Sequence, residues 1–413
     1  MLETRERLSV AAAAHRLGVK PETLYAYVSR GVLERRSAPD GRSWFDHDSI
    51  EELARRGRPR RTSNPPALEI QIETSLTTIA DDGHRYRGHR ATTLARRHLF
   101  ESVAQLLWTG ALPDDAPVWP SHSVGRESGR APGRPRAAAR PDGSTFDHLR
   151  MSVAEASIAD PSRGDLRPEA VAARAATVVA ALAAGLPERQ LPPSFRLPGG
   201  RIDRRDTMAG RVWAGLTERP PPKGAVAAVN GALVLVADHE LAPSALAARV
   251  AASTRADPYA VVGAGLGVVS GPLHGGASGR LRSALDSVAL GVPVPEVVGA
   301  LVGGRAGVAG FGHRLYRDGD PRSVALFELL RSAAVPRRRW APVDQLIDLV
   351  RSRTGLEPNV DAGLAALGFL FDLPADTGSV LFVVGRSAGW LGHAIEEYAE
   401  PPLRFRPRAV PRP

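Results

Sequence analysis

Along most of the 413-residue chain, apolar positions recur at the three- and four-residue spacing of helices and not at the alternation of strands. Alanine-rich apolar runs at 170–184 and 226–236 predict buried helices, and 99–108, 147–153 and 244–251 predict others. Convincing alternation is confined to LEIQIE at 68–73, which predicts a short strand. The body that follows is therefore expected to be mostly α. The first 55 residues form a separate pattern. Ser9 is placed to cap a helix over 11–17, Gly18 ends it, and Pro21 opens a second helix whose Leu24, Tyr27 and Val28 share one face. Residues 31–36 and 41–45 read as a short hairpin or wing, and 46–53 restart a helix. Residues 56–66 have no apolar periodicity and are rich in Arg and Pro, as in a basic linker. Residues 113–141 hold many Pro, Gly, Ser and Arg, which predicts a disordered surface insertion.

Composition narrows the chemistry. The net charge of +10 is carried almost wholly by Arg, since Lys occurs only at positions 20 and 223. That balance suits an anionic partner, either nucleic acid or an acidic metabolite. There is no Cys, which excludes disulfides, thiolate catalysis and Cys-based metal sites, and no metal site is expected. The N-terminus lacks the apolar core of a signal peptide, and no apolar run approaches a membrane span of about 20 residues, so a cytoplasmic protein without membrane contact is expected.

Two histidines stand among glycines, where backbone and imidazole can approach a ligand closely: His274 in GPLHGGA at 271–277 and His313 in GFGHRLYRDGDPR at 310–322. The second motif ends on Arg322, a fork suited to a carboxylate. Downstream lie NVD at 359–361 and Arg386. The set suits acid–base work on a small acidic substrate. Asp361 also has a plain alternative as the N-cap of the helix beginning at Ala362, and His239, between Asp238 and Glu240, as an ion-paired surface residue.

The pair of motifs resembles the citrate synthase family, over roughly 67–413, with RSAGWLGH at 386–393 and RPR at 406–408 as further points of likeness. The resemblance implies the citrate synthase fold, with a large domain at 67–273, a small domain at 274–373 and a return to the large domain at 374–413. It implies condensation of acetyl-CoA or propionyl-CoA with oxaloacetate to citrate or 2-methylcitrate, with no cofactor beyond the coenzyme A thioester itself. On it, Asp361 is the base, His274 the donor to the thioester oxygen and His313 the hydrogen-bond partner of the oxaloacetate carbonyl. His239, Arg322 and Arg386 bind the dicarboxylate; Arg406 reaches the neighbouring subunit's site in a homodimer; Arg314 is a candidate contact to coenzyme A phosphates. Ala362 departs from the aromatic residue usual after the Asp, which would admit a larger acyl group.

The first 55 residues resemble the winged helix-turn-helix of MerR-type and excisionase-type DNA-binding domains. That likeness implies Lys20, Thr23, Tyr25 and Arg30 at the major groove or its phosphates, and Arg35, Arg36 and Arg42 on the backbone. A small helical module for packing or dimerisation is the alternative. A second reading of the whole chain follows: a transcription regulator whose enzyme-like domain senses oxaloacetate, citrate or acyl-CoA.

Overall fold

The computed structural model describes residues 7–17, 19, 21–29, 32–37, 43–56, 71–80, 82–120, 144–187, 207–302, 307–316 and 318–407. The chain divides into two compact units, Met1–Ile72 and Glu73–Pro413.

The first unit runs β1 (Arg7–Ser9), α1 (Val10–Arg16), α2 (Pro21–Ser29), β2 (Arg36–Ser37), β3 (Ser43–Asp46) and α3 (His47–Arg56). Ser9 Oγ accepts the Ala12 amide at 3.2 Å, the expected cap, and Asp46 Oδ2 does the same for Ser49 at 3.2 Å. β3 is the centre of an antiparallel sheet in the order β1-β3-β2, so the expected hairpin forms with a third strand added by β1. Ala13, Ala14, Leu24, Tyr27, Leu33, Phe45, Ile50 and Leu53 close a small core of its own. The proposed linker lies, from residue 57 on, outside the described residues.

The second unit opens with an antiparallel meander, β4 (Thr77–Ala80), β5 (Gly83–Tyr86) and β6 (His89–Arg90). The predicted strand at 68–73 is displaced: Gln71–Glu73 carry no strand pairing, 68–70 lie outside the described residues, and the pairing begins at Thr77. Helices follow: α4 (Ala91–Arg97), α5 (Phe100–Thr109), α6 (Thr145–Ala159), α7 (Pro168–Ala184), α8 (Met208–Leu216) and α9 (Ala225–Leu235). Then come α10 (Pro243–Ser253), α11 (Pro258–Val269), α12 (Ala277–Ala289), α13 (Val294–Val302), α14 (Pro321–Ser332), α15 (Ala341–Thr354), α16 (Val360–Leu370) and α17 (Thr377–Tyr398). Proline in the first turn of α7, α10, α11, α14 and α15 starts them at no cost in hydrogen bonds.

α17 is buried along most of its 22 residues and packs on α5, α7, α9, α10, α11 and α16, which makes it the axis of the unit. Gly265 on α11 permits a close approach to α17, since a Cβ there would lie 2.5 Å from the fully buried Trp390 ring. One hydrophobic core runs through the unit, across the boundary that the sequence suggests at Leu273. Among the described residues no helix is long and apolar enough to cross a membrane.

The predicted insertion at 113–141 does not hold over its first eight residues, 113–120. Residues 113–120 are described, and Trp119 is buried, stacked on Trp108 at 5.6 Å with Phe100 edge-on at 5.7 Å. Its carbonyl and that of Pro120 accept hydrogen bonds from Arg211 on α8. A single aromatic side chain is too sparse a signal to break a Pro/Arg-rich pattern. Residues 121–143 lie outside the described residues.

Candidate active site

Two left-handed glycines shape the histidine loop before α14. Gly310 and Gly312 have φ of +80° and +72°, which a side chain would strain. The Gly312 amide donates to the Glu357 carbonyl at 2.8 Å, the Asn359 amide to the Gly310 carbonyl at 2.9 Å, and Asn359 Nδ2 to the Gly312 carbonyl at 2.9 Å. The loop bearing His313 is thereby stitched to the start of α16, which bears Asp361. Asn359 is the cap of α16, its Oδ1 accepting the Asp361 amide at 3.0 Å, so the alternative reading of Asp361 as the cap is displaced. The Asp361 carboxylate has no hydrogen-bond partner among the described residues.

Asp320 ties the same two elements by side chain. It holds the buried Arg322 through Nε at 3.0 Å and a terminal nitrogen at 2.8 Å, and its Oδ2 also accepts the Val360 amide at 2.9 Å. Arg322 points its second contact at His313 Nε2, 3.2 Å away, while His313 Nδ1 accepts the Leu315 amide at 3.1 Å. A neutral ring that accepts at Nδ1 carries its proton on Nε2. Nε2–H and the guanidinium are then two donors aimed together with no acceptor between them, an arrangement that an oxygen-bearing ligand completes.

His239 stands against this pair, its ring 5.2 Å from that of His313 and its Nε2 3.0 Å from the Tyr316 hydroxyl. Asp238 and His239 lie in a buried turn beyond α9, which stops at Leu235. His239 is buried there and not an ion-paired surface residue. His84 on β5 adds a third ring 5.4 Å from His239. His274 lies in the loop before α12, Nε2 2.9 Å from the Ser244 hydroxyl, its edge 5.7 Å from Phe382. The buried Arg386 on α17 stands over the Phe382 ring at 4.7 Å and donates to the Val236 carbonyl at 2.7 Å.

Burial and the two guanidinium groups set the charges. Burial, then Arg386, lowers the His274 imidazole to about 4; burial, then Arg322, lowers His313 and His239 as well. All three are neutral donors at pH 7. Burial pushes the Asp361 carboxyl up to about 6, with Arg322 and Arg386 opposing it.

The structure thus brings His239, His274, His313, Arg322, Asp361 and Arg386 into one cluster. Arg314 and Arg406 are exposed and make no contact with it. In the first unit, Tyr25 on α2 is exposed and Thr23 half-buried; Arg36 is exposed, with its guanidinium 5.6 Å over the Trp44 ring. Lys20, Arg30 and Arg42 lie outside the described residues, and Arg35 is exposed. Sequence reasoning missed Asp320, which sits where a helix cap before Pro-Arg belongs and could have been found by that rule. It also missed Tyr316, Ser244, Phe382 and His84, which carry no local signal. No group of acidic and histidine side chains suited to a metal ion occurs among the described residues.

The family profile described as "Citrate synthase, C-terminal domain" matches residues 69–408. A citrate synthase of Mycolicibacterium smegmatis is 30% identical over 328 residues, 76% of this chain and 85% of that protein. A 2-methylcitrate synthase of Mycobacterium tuberculosis is 30% identical over 323 residues, 76% of this chain and 80% of that protein. Among solved structures, the citrate synthase of the archaeon Thermoplasma acidophilum, in ternary complex with carboxymethyl coenzyme A and oxaloacetate, has the same fold. Its TM-score is 0.57 at 22% identity, covering 84% of this chain and 94% of that one. The chain belongs to the citrate synthase family, and its activity class is that of a citrate synthase-type acyltransferase.

The reading of Asp361, its carboxyl raised to about 6, as the base predicts the acid side of the pH–rate profile. The ionised form is the active one, so turnover should be full above pH 7 and fall about tenfold per unit well below pH 6. A profile that stays flat from pH 8 to pH 5 would contradict the assignment.

Proposed function

We propose that the site joins the α-carbon of an acyl-CoA thioester to the ketone carbon of oxaloacetate, with the roles divided as follows. The dicarboxylate lies against Arg322, Arg386 and His239, whose cations and donors match its two negative charges. The observation that carries this reading is the convergence of His313 Nε2 and Arg322 on one point, 3.2 Å apart, beside an unpartnered Asp361 carboxylate. His313 holds the ketone oxygen. Asp361 takes a proton from the thioester α-carbon, and the electron pair of that C–H bond moves onto the thioester oxygen. His274 receives this oxygen: with the Ser244 hydroxyl donating to Nε2, the ring proton sits on Nδ1 and is the donor. The enolate carbon then attacks the ketone, whose oxygen gains the pair and takes the Nε2 proton of His313; the proton held by Asp361 passes back through water to the imidazole, restoring both groups. Water then adds at the thioester carbon and the C–S bond breaks, giving the carboxylate and coenzyme A as the thiol.

The solved relative holding carboxymethyl coenzyme A and oxaloacetate supports this choice of substrate classes. Two acyl groups fit the chemistry, since curated relatives include both citrate and 2-methylcitrate synthases. Ala362, small and buried beside Asp361, favours room for propionyl-CoA. Closure of the 274–373 segment on the rest would exclude water during enolisation. The exposed Arg406 suits a role across a homodimer, completing the site of a partner subunit, and the exposed Arg314 suits a contact to coenzyme A phosphates. The composition of the chain is compatible with a cytoplasmic protein.

A second reading concerns the first unit alone: it binds DNA. Its support is α2, the second helix of the unit, which exposes Tyr25, and the antiparallel β2–β3 pair with exposed Arg35 and Arg36. On this reading the catalytic activity and DNA binding coexist in one chain.

With purified protein, oxaloacetate and acetyl- or propionyl-CoA should release thiol, and Asp361→Ala should cut the rate by about 10²–10⁴-fold. Absence of thiol from either thioester would contradict the enzyme reading. For the first unit, duplex DNA should be retarded by the full chain with an affinity that falls steeply with salt, and Arg36→Ala should reduce that slope by about one. Retardation by the chain lacking residues 1–55, or none by the full chain, would contradict it.

A further inference from the structure

The turn that carries His239 is held from behind by side chains outside the chemistry above. The Tyr86 hydroxyl accepts the Asp238 amide at 3.2 Å, and Thr77 donates to Asp238 Oδ2 at 2.5 Å. The Gly389 amide donates to the Ala237 carbonyl at 3.0 Å, and Gly389 has to be glycine there, because a Cβ would lie 2.6 Å from Asp238 Oδ1. Arg386 closes on the same turn through the Val236 carbonyl at 2.7 Å. One turn therefore aims a dicarboxylate histidine and anchors a dicarboxylate arginine.

His393 on α17 stands behind the turn, its Nε2 3.3 Å from Asp238 Oδ1, with both side chains wholly buried. Its other nitrogen, Nδ1, accepts from Arg249 Nε at 3.2 Å. A nitrogen that accepts from a guanidinium bears no proton, so neutral His393 carries its proton on Nε2, facing the Asp238 carboxylate. Arg249 cannot turn away: its side chain is 1% exposed and is gripped by Glu397 at 3.3 Å and by Glu396. Arg404 clamps Glu397 through two bonds of 2.7 and 2.6 Å, and Glu396 accepts from Thr74 and Ser75. The imidazole is thus fixed in position and tautomer by groups outside the cluster of His239, His274, His313, Arg322, Asp361 and Arg386.

We propose that His393 is a positioning residue for dicarboxylate binding, acting through Asp238 on the turn that aims His239 and anchors Arg386. The inference rests on the reading of His239 and Arg386 as dicarboxylate ligands. It predicts a selective defect. In the full-length protein, His393→Leu should weaken oxaloacetate in calorimetric titration by about tenfold, since buried Asp238 Oδ1 then faces an apolar group in place of the imidazole and only Oδ2 keeps a donor, Thr77. The KM for oxaloacetate should rise by a similar factor while the KM for the acyl-CoA holds. His393→Gln, which keeps an N–H near the place of Nε2, should recover most of the loss. Asp238→Asn, of the same shape but uncharged, should repeat the selective defect and serves if the leucine variant does not fold. Wild-type oxaloacetate affinity in a folded His393→Leu protein, or equal losses for both substrates, would overturn the proposal. Failure of the wild-type protein to bind oxaloacetate would instead overturn the functional reading, and this inference with it.

Discussion

The ion pair of Asp320 with Arg322 is the contact on which the site depends. Both side chains are almost fully buried, and one carboxylate serves two elements: it fixes the guanidinium beside His313 and accepts the amide of Val360, the residue before Asp361. A buried pair of this kind adds little net stability, because desolvation offsets attraction, but removing one partner leaves an uncompensated charge at a cost of about 3–5 kcal/mol. Its value here is geometric. The spacing between the Arg322 guanidinium, the His313 imidazole and Asp361 is set by one side chain and two stitched loops.

The same burial governs the protons. A histidine that charged at neutral pH would add a cation to a site already holding Arg322 and Arg386, so burial and those cations keep His239, His274 and His313 neutral. Neutral imidazoles can donate one hydrogen bond in a defined direction, which is what polarising a carbonyl requires. Asp361 experiences the opposite pull: burial raises its carboxyl to a value near physiological pH, where a carboxylate is a better base than at its ordinary value. Burial at one cluster thus lowers the imidazoles and raises the carboxyl, opposite directions from one cause.

Much of this was legible in the sequence where chemistry is local. The glycines around His274 and His313 and the Asn-Val-Asp run are contiguous, so they announce themselves, and the helical periodicity of 226–236 found α9 directly. The misses share a cause. β4 and β5 have four residues each, too few for alternation to register, and β6 has two. Trp119 is ordered by aromatic neighbours from another helix and by Arg211, none of which its own segment reveals. His84, Ser244, Phe382 and the chain from Asp238 to Arg404 are assembled by packing across long sequence separations. Asp238 and His393, which stand together, are remote in sequence.

The measurement that tests the account most directly is a crystal structure of the protein with oxaloacetate and a non-reactive thioether analogue of acetyl-CoA. The account predicts the ketone oxygen within hydrogen-bond reach of His313 Nε2 and a carboxylate on Arg322. It also predicts the analogue's terminal group between Asp361 and His274. A dicarboxylate bound away from Arg322 and Arg386, or an Asp361 carboxylate turned away from the analogue, would contradict it.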